Sequence, residues 1–253
     1  MKKTRIISRL DIKNNSVIKG IHLEGLRKIG DPNELAIKYY NQGIDEIILM
    51  DAVAAYYDRN SLSEIVKKTC CNVFVPITVG GGIRKIDDIQ IALNAGADKI
   101  AINTQAVREP EFIKQATKVF GSQCIVASID AKKKIDNTWE VYIDNGREPT
   151  GKDVIEWAKQ LELLGAGEIM LTSIDREGTK KGFDIELNKM VCESITIPII
   201  SCGGAGKNKD VSELILNTDI DAVAIASILH YNIEDIPRLK ECLNDHEKIN
   251  VRL

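Results

Sequence analysis

The stretch that decides the fold is VPITVGGGIR (75–84), because a closely similar stretch, IPIISCGGAGK (197–207), recurs in the second half of the chain. Pro76 of the first stretch aligns with Pro198 of the second. Each is a short apolar run that ends in glycines and is followed by a helix-like segment. Continuous β-branched runs of this kind are typical of parallel strands that are buried on both faces.

Similar runs are spread evenly along the 253 residues, with helix-like segments between most of them. The predicted strands are 5–11, 45–51, 75–81, 98–103, 124–130, 167–175, 197–204 and 221–227. Eight strand–helix units in a chain of this length predict an α/β fold, a (β/α)8 TIM barrel, as a single domain over 1–253. A doubly wound open sheet is the alternative, but such sheets rarely have eight units of such even length.

An internal similarity supports the closed barrel. Gly43–Leu49 resembles Gly165–Leu171, and Asp11 at the end of the first strand matches Asp130 at the end of the fifth. These matches predict a half-barrel, two-fold repeat. Such a repeat would place matching residues on opposite walls of the barrel.

Composition excludes several classes of protein. The 34 Lys and Arg nearly balance the 37 Asp and Glu, so the chain lacks the basic character of a nucleic-acid-binding protein. It shows neither an apolar run long enough to cross a membrane nor an apolar signal segment, which predicts a cytoplasmic protein. The six cysteines and three histidines have no metal-ligand or nucleophile spacing, so we expect reduced thiols, no metal and no cofactor.

The strand ends carry the residues suited to chemistry, since active sites of this fold lie at the carboxyl ends of the strands. Asp11 and Asp130 would face each other there, as a general acid and a general base on two sides of one substrate. The alternative is that each only caps a loop or pairs with Lys13 or Lys132. The symmetric placement favours the catalytic interpretation.

Glycine clusters follow the third and seventh strands, and donor groups follow the fourth and eighth. Glycine lets the backbone approach an anion, and unpaired N–H groups can then bind it. Two such clusters predict two phosphate sites, and therefore a substrate with a phosphate at each end. The predicted residues are Gly81, Gly82, Asn103, Thr104, Gly203, Gly204 and Ser227.

The opposite ends of the strands carry four charged residues: Arg5, Glu46, Lys99 and Glu168. Charges inside a barrel are costly unless they are paired. They would therefore form a salt-bridged polar gate into the barrel, or else point outward to solvent. Two long loops, 14–31 and the one that contains Gly178, are predicted to lie over the substrate, the first as a lid.

Eight motifs along the chain together carry a specific resemblance to a known family. They are LDIK (10–13), VGGGIR (79–84), GADK (96–99), FGSQCIV (120–126), IDAK (129–132), LTSIDREGT (171–179), GGAGK (203–207) and NVRL (250–253). With these motifs the chain resembles, almost end to end, the cyclase subunit of imidazole glycerol phosphate synthase from histidine biosynthesis.

The resemblance implies a partner and a reaction. A glutaminase on a separate chain would dock at the lower face and release ammonia through the four-charge gate. The ammonia would attack the bis-phosphate phosphoribulosyl-formimino-aminoimidazole carboxamide ribotide. Ring closure would yield imidazole glycerol phosphate and aminoimidazole carboxamide ribotide. Asp11 and Asp130 would be the acid–base pair, and Lys19 a contact from the first loop.

This chain departs from the family pattern around the substrate. Arg9 stands where the family usually has Cys, Cys202 replaces Ser, Glu177 replaces Asp, and 51–55 loses two hydroxyls. These departures leave two alternatives open. One is a paralogue that conducts ammonia to an amidotransferase of surface polysaccharides. The other is the sister phosphoribosyl isomerase of the same pathway, which needs no gate.

Overall fold

The computed structural model describes residues 3–52 and 62–252, and these form a closed barrel of eight parallel strands surrounded by helices. In order around the barrel the strands are β1 (Arg5–Lys13), β4 (Glu46–Asp51), β5 (Ile77–Gly80), β6 (Lys99–Ile102), β7 (Ile125–Lys133), β10 (Glu168–Ser173), β11 (Ile199–Cys202) and β12 (Ala222–Ile225). The pairing of β12 with β1 closes the barrel. The predicted (β/α)8 barrel is confirmed, whereas the internal repeat stays a prediction.

Helices return the chain from the carboxyl end of one strand, the upper end of the barrel, to the lower end of the next. They are α1 (Pro32–Asn41), α2 (Ser63–Cys70), α3 (Ile86–Asn94), α4 (Thr104–Arg108), α5 (Glu111–Phe120), α6 (Val154–Leu163), α7 (Ile185–Ser194), α8 (Asn208–Asn217), α9 (Ser227–His230) and α10 (Ile236–Asn244). Helix α1 begins where the Asp31 side chain accepts hydrogen bonds from the backbone N–H groups of Asn33 and Glu34. Such a cap satisfies N–H groups that have no partner inside the helix.

Two hairpins extend the barrel wall at its upper end, and the sequence predicted neither as strands. The segment predicted to be a lid loop, 14–31, contains β2 (Ser16–Ile21) and β3 (Glu24–Gly30), which are antiparallel to each other. After β7 come β8 (Trp139–Ile143) and β9 (Glu148–Asp153). Asp153 ends β9 and its side chain caps α6, so that helix begins at Val154.

The side chains of the barrel strands alternate between two separate apolar cores. The larger core lies between the outer wall of the barrel and the helices, and includes Leu10, Ile47 and Trp157. The smaller one fills the middle of the barrel with Ile7, Ile48, Ala101, Val126, Met170, Ile200, Cys202, Ala222 and Ala224. Burial of each large aliphatic side chain contributes about 1.5–3 kcal/mol. The same alternation turns Asp11 and Asp130 to the inside, where they rise above the smaller core.

Within the described part of the chain, helices are too short or too polar to cross a membrane.

Candidate active site at the upper end of the barrel

The two predicted catalytic aspartates lie at the upper ends of β1 and β7, inside the barrel and almost completely buried. The negative charge of Asp11 acts on Asp130. Their surroundings nevertheless differ, because cations contact Asp11 and an amide contacts Asp130.

Asp11 is held between two cations. Arg9 donates from Nε to Asp11 Oδ1 at 2.9 Å, and Lys19 Nζ lies 3.7 Å from Asp11 Oδ2. Burial alone would raise the pKa of Asp11, but Arg9 and then Lys19 outweigh it and hold the pKa below its ordinary value. Asp11 is therefore a carboxylate throughout the neutral range.

Asp130 receives a hydrogen bond from the Asn103 amide, Nδ2 to Oδ2, at 3.0 Å. Burial raises the pKa of Asp130 to about 6, Arg9 opposes that shift, and the negative charge of Asp11 adds to it. Asp130 can therefore take up or release a proton near neutral pH, which suits an acid–base group.

The hairpin of β2 and β3 closes over Asp11. Lys19, on β2, is buried and contacts Glu177 in the loop after β10. His22 donates from its backbone N to Glu177 O at 2.8 Å and from Nδ1 to Ile174 O at 2.9 Å. The hairpin comes so close that a Cβ on Gly178 would lie 2.1 Å from the carbonyl oxygen of Gly20. Only glycine fits there, so the structure places Gly178 and Lys19 on one closed surface.

The residues of the two predicted phosphate sites line two separate pockets. The first pocket is lined by Gly81, Gly82, Asn103, Thr104 and Asp130, among others. The second pocket is lined by Lys19, Gly178, Gly203, Gly204 and Ser227, among others.

Two of the glycines have a backbone that other residues would strain. Gly81 has φ 93° and Gly204 has φ 120°. A Cβ on Gly81 would lie 2.3 Å from Asp51 O, and one on Gly204 would lie 2.2 Å from Gly182 O. Glycine is therefore the residue that this backbone beside each pocket accommodates without strain.

Asn103 and Thr104 make contacts that differ from those expected. The Asn103 amide binds Asp130 and the Tyr142 carbonyl oxygen, and so orients a carboxylate. The Thr104 hydroxyl accepts a hydrogen bond from the backbone N of Asp144 at 3.1 Å, which ties α4 to the turn between β8 and β9. Either residue can still present its backbone N–H to an anion.

The four predicted gate residues form a closed ring at the lower end of the barrel. Arg5 bonds Glu46 at 2.7 Å and Glu168 at 2.5 Å, and Lys99 bonds the same two carboxylates at 3.1 and 3.0 Å. Burial opposes the charge of Arg5, but Glu168 and Glu46 raise its pKa. The side chains point inward, and the alternative in which they face outward to solvent is wrong.

Sequence reasoning missed the contacts of Arg9. In the sequence Arg9 was noted only as a departure from the family pattern. In the structure its side chain extends across the site and also bonds Thr172 Oγ1 at 3.0 Å. A cation two residues before Asp11 on the same strand points to the same side, which is the pattern that could have revealed it. The departure over 51–55 lies partly outside the described residues, which include only Asp51 and Ala52 of it.

His230 lies behind Asp11 and is not a proton donor at neutral pH. Its Nδ1 is 2.7 Å from the Tyr39 hydroxyl. Burial and the charge of Lys19 lower the pKa of His230 to about 4. It is therefore a neutral packing group, in line with the expectation that no histidine activates a nucleophile.

Comparisons with known proteins agree with this arrangement. A family model described as histidine biosynthesis protein matches residues 5–235. The chain is 59% identical over 207 residues to an imidazole glycerol phosphate synthase subunit HisF from Legionella pneumophila, which covers 82% of this chain and 98% of the relative.

Two further HisF subunits match over most of their length. The one from Hydrogenobaculum sp. (strain Y04AAS1) is 48% identical over 98% of both chains. The one from Lactococcus lactis subsp. lactis (strain IL1403) is 47% identical over 94% of this chain and 92% of the relative. These names support neither the polysaccharide paralogue nor the isomerase. The chain belongs to the HisF family of imidazole glycerol phosphate synthase subunits.

Proposed function

We propose that this chain is the cyclase subunit of imidazole glycerol phosphate synthase in histidine biosynthesis. It uses ammonia to convert phosphoribulosyl-formimino-aminoimidazole carboxamide ribotide into imidazole glycerol phosphate and aminoimidazole carboxamide ribotide. The observation that carries the proposal is a pair of buried carboxylates with unlike proton affinities, beside two glycine-lined pockets. Such a pair can give a proton to one part of a substrate while it stabilises positive charge on another.

Each pocket would receive one phosphate of the substrate. Gly81 and Gly82, whose backbone N–H groups would bind it, line the first pocket. Gly203 and Gly204 line the second, where the buried Ser227 hydroxyl has no hydrogen-bond partner among the described residues. Anions bind well to such clusters of N–H groups. The reacting middle of the substrate would then lie above Asp11 and Asp130.

The aspartates would divide the proton transfers. Asp130, which titrates near neutral pH, would give a proton to the leaving group and take one back. Asp11, held as an anion by Arg9 and Lys19, would accept hydrogen bonds from the nitrogen atoms that gain positive charge. This assignment follows from the contacts of the two side chains.

A glutaminase partner would dock at the lower end of the barrel. Large apolar side chains are exposed there, at the ends of the helices and in the loop before β5: Phe74, Val119, Leu163 and Leu216. Large apolar side chains exposed on one face of a protein mark an interaction site. The ring of Arg5, Glu46, Lys99 and Glu168 lies at the same end and would admit ammonia into the barrel.

An ammonia-dependent assay on the purified chain tests the reaction. It would supply the bis-phosphate with an ammonium salt at mildly alkaline pH and follow the release of aminoimidazole carboxamide ribotide. We expect turnover without any partner, because the aspartates and both pockets belong to this chain. No turnover from folded protein would overturn the proposal. The cytoplasmic location stays a prediction.

A pair of variants tests the docking face. Leu163→Glu adds a charge to the exposed end of α6 and should weaken the association with a purified glutaminase subunit of this family by about tenfold or more. Ile135→Glu is the matched control, because Ile135 is fully exposed at the upper end. Equal affinity of the two variants, measured by titration calorimetry, would count against the lower face.

A further inference from the structure

Arg9 reaches across the inside of the barrel. Its Cα lies on β1, and its guanidinium donates a hydrogen bond from Nη1 to Thr172 on β10 at 3.0 Å. Strands β11 and β12 separate β10 from β1. The Arg9 side chain therefore spans the lumen above those two strands, and together with Cys202 on β11 it lines the second pocket.

Below Arg9 the lumen is mostly apolar, with the buried Thr78 hydroxyl at the level of Ile48. The smaller core fills it, from Ile7 and Val126 near the lower end to Ala224 and Cys202 near Arg9. The ring of Arg5, Glu46, Lys99 and Glu168 bounds it underneath. An apolar segment between two charged groups admits a small neutral molecule more readily than an ion, because an ion would lose its hydration there.

Arg9 also separates the two pockets of the active site. Among residues 3–52 and 62–252, it alone lines both of them. A substrate that fills both pockets must pass over Arg9, and its phosphates would attract the guanidinium from either side. An anionic substrate would therefore compete with Thr172 for the Nη1 end of the guanidinium. The bond from Nε to Asp11 would hold the rest of the side chain in place.

We propose that Arg9 is a second gate: while it bonds Thr172 it closes the upper end of the barrel lumen, and substrate binding releases it. This inference rests on the proposed function. Together they make the lumen a chamber that the lower ring closes at one end and Arg9 closes at the other. Ammonia that passes the lower ring would stay below Arg9 until a bis-phosphate occupies the mouth.

The test uses Cys202 as a reporter of Arg9 displacement, because its side chain is buried beside Arg9 where the second pocket meets the lumen. The variant Thr172→Val keeps the volume of the side chain and removes the acceptor, whereas Thr172→Ser keeps the acceptor. Alkylation of each cysteine by iodoacetamide would be followed by mass spectrometry. Cys124 is buried in the outer core and reports any general loosening.

We expect Thr172→Val to raise the alkylation rate of Cys202 by about tenfold or more, the effect of losing one hydrogen bond to a charged group. The Thr172→Ser rate should equal that of the parent, and the Cys124 rate should not change in either variant. Thr172 lowers the pKa of Cys202, so its loss makes the thiol less acidic, and a faster reaction would report access. Equal protection of Cys202 in all three proteins would overturn the gate.

A second measurement connects the gate with ammonia. In the complex with a glutaminase, the parent and Thr172→Ser should form about one product per glutamine hydrolysed, and Thr172→Val fewer. Unchanged coupling in Thr172→Val would overturn the role in holding ammonia. The Cys202 measurement needs neither substrate nor partner, so it can succeed even if the cyclase assay fails, and the two proposals are tested separately.

Discussion

The two ends of the barrel lumen both carry buried charges, but they pair them differently. At the lower end, two cations and two carboxylates alternate around a ring in which each group bonds both neighbours. At the upper end, Arg9 and Lys19 both contact Asp11, whereas Asp130 contacts the Asn103 amide and no cation among the described residues. The lower ring balances its charges internally, whereas the upper group leaves one carboxylate without a cation. Uneven pairing therefore marks the end where proton transfer is expected.

The variant Asp130→Asn most directly tests the upper end of the lumen, where the charges are unevenly paired. It removes the group that can carry a proton near neutral pH, so we expect kcat to fall by about 10²–10⁴-fold. Both the ammonia-dependent and the glutamine-dependent rates should fall, since the chemistry is common to them. Asp136→Asn, at an exposed hairpin tip, is the control. A kcat within twofold of the parent would remove Asp130 from the mechanism.

The same substitution should stabilise the protein. The pKa of Asp130 is about 6 in the folded state against an ordinary value of 3.8, so the folded state binds more protons between these values. Stability therefore falls as pH rises from about 4 to 6, by about 2–3 kcal/mol. Asn cannot ionise, so Asp130→Asn should be more stable than the parent at pH 8 by about that amount.

Urea unfolding of both proteins at pH 4 and pH 8 measures this difference. The advantage of the Asn variant should be largest at pH 8 and should shrink toward pH 4. Equal stability of the parent and Asp130→Asn at pH 8 would mean that burial of the ionised Asp130 side chain does not destabilise the folded state.

The lower end of the lumen, where the charges balance, is tested by Glu168→Gln. This variant keeps the shape of the side chain and removes one of two negative charges from the ring. We expect about a tenfold loss of glutamine-dependent turnover, equivalent to about 1.4 kcal/mol. Ammonia-dependent turnover should change less than twofold, because free ammonia reaches the substrate from above. Glu156→Gln, in an exposed pair with Lys159, is the control. An equal loss by both routes would argue against passage through the ring.

The smallest expected effect concerns the hairpin of β2 and β3, which covers the upper end of the lumen. His22→Ala removes the bond from Nδ1 to Ile174 O, and one neutral hydrogen bond contributes about 1 kcal/mol. We therefore expect KM for the bis-phosphate to rise by about threefold to fivefold while kcat stays the same. His246→Ala, on the exposed surface, is the control. An unchanged KM would show that the closed hairpin does not help to bind substrate.

Much of the fold could be predicted because the strand runs are continuous and evenly spaced. The sequence also places the four charges of the lower ring at one end of the strands, but it leaves open whether their side chains point inward. The hairpins were not predicted. WEVYI (139–143) alternates apolar and polar residues as a strand does, but its partner Glu148–Asp153 and the segment Glu24–Gly30 are mostly polar, so the pairing could not be read from the sequence. The same holds for Arg9, whose partner Thr172 is distant in sequence, and for Asn103, which binds Asp130 instead of being left for a phosphate.

The lower ring has a consequence for how a partner would find the barrel. Its charges alternate, plus and minus, around a closed cycle, so the ring is an electrostatic quadrupole with no net charge. The field of a quadrupole dies away within a few ångströms, much faster than that of a single charge. The ring therefore cannot draw a partner in from a distance, and its contribution to the association rate should be insensitive to salt. Shape and apolar contact would determine the encounter, and the charges would matter only after docking.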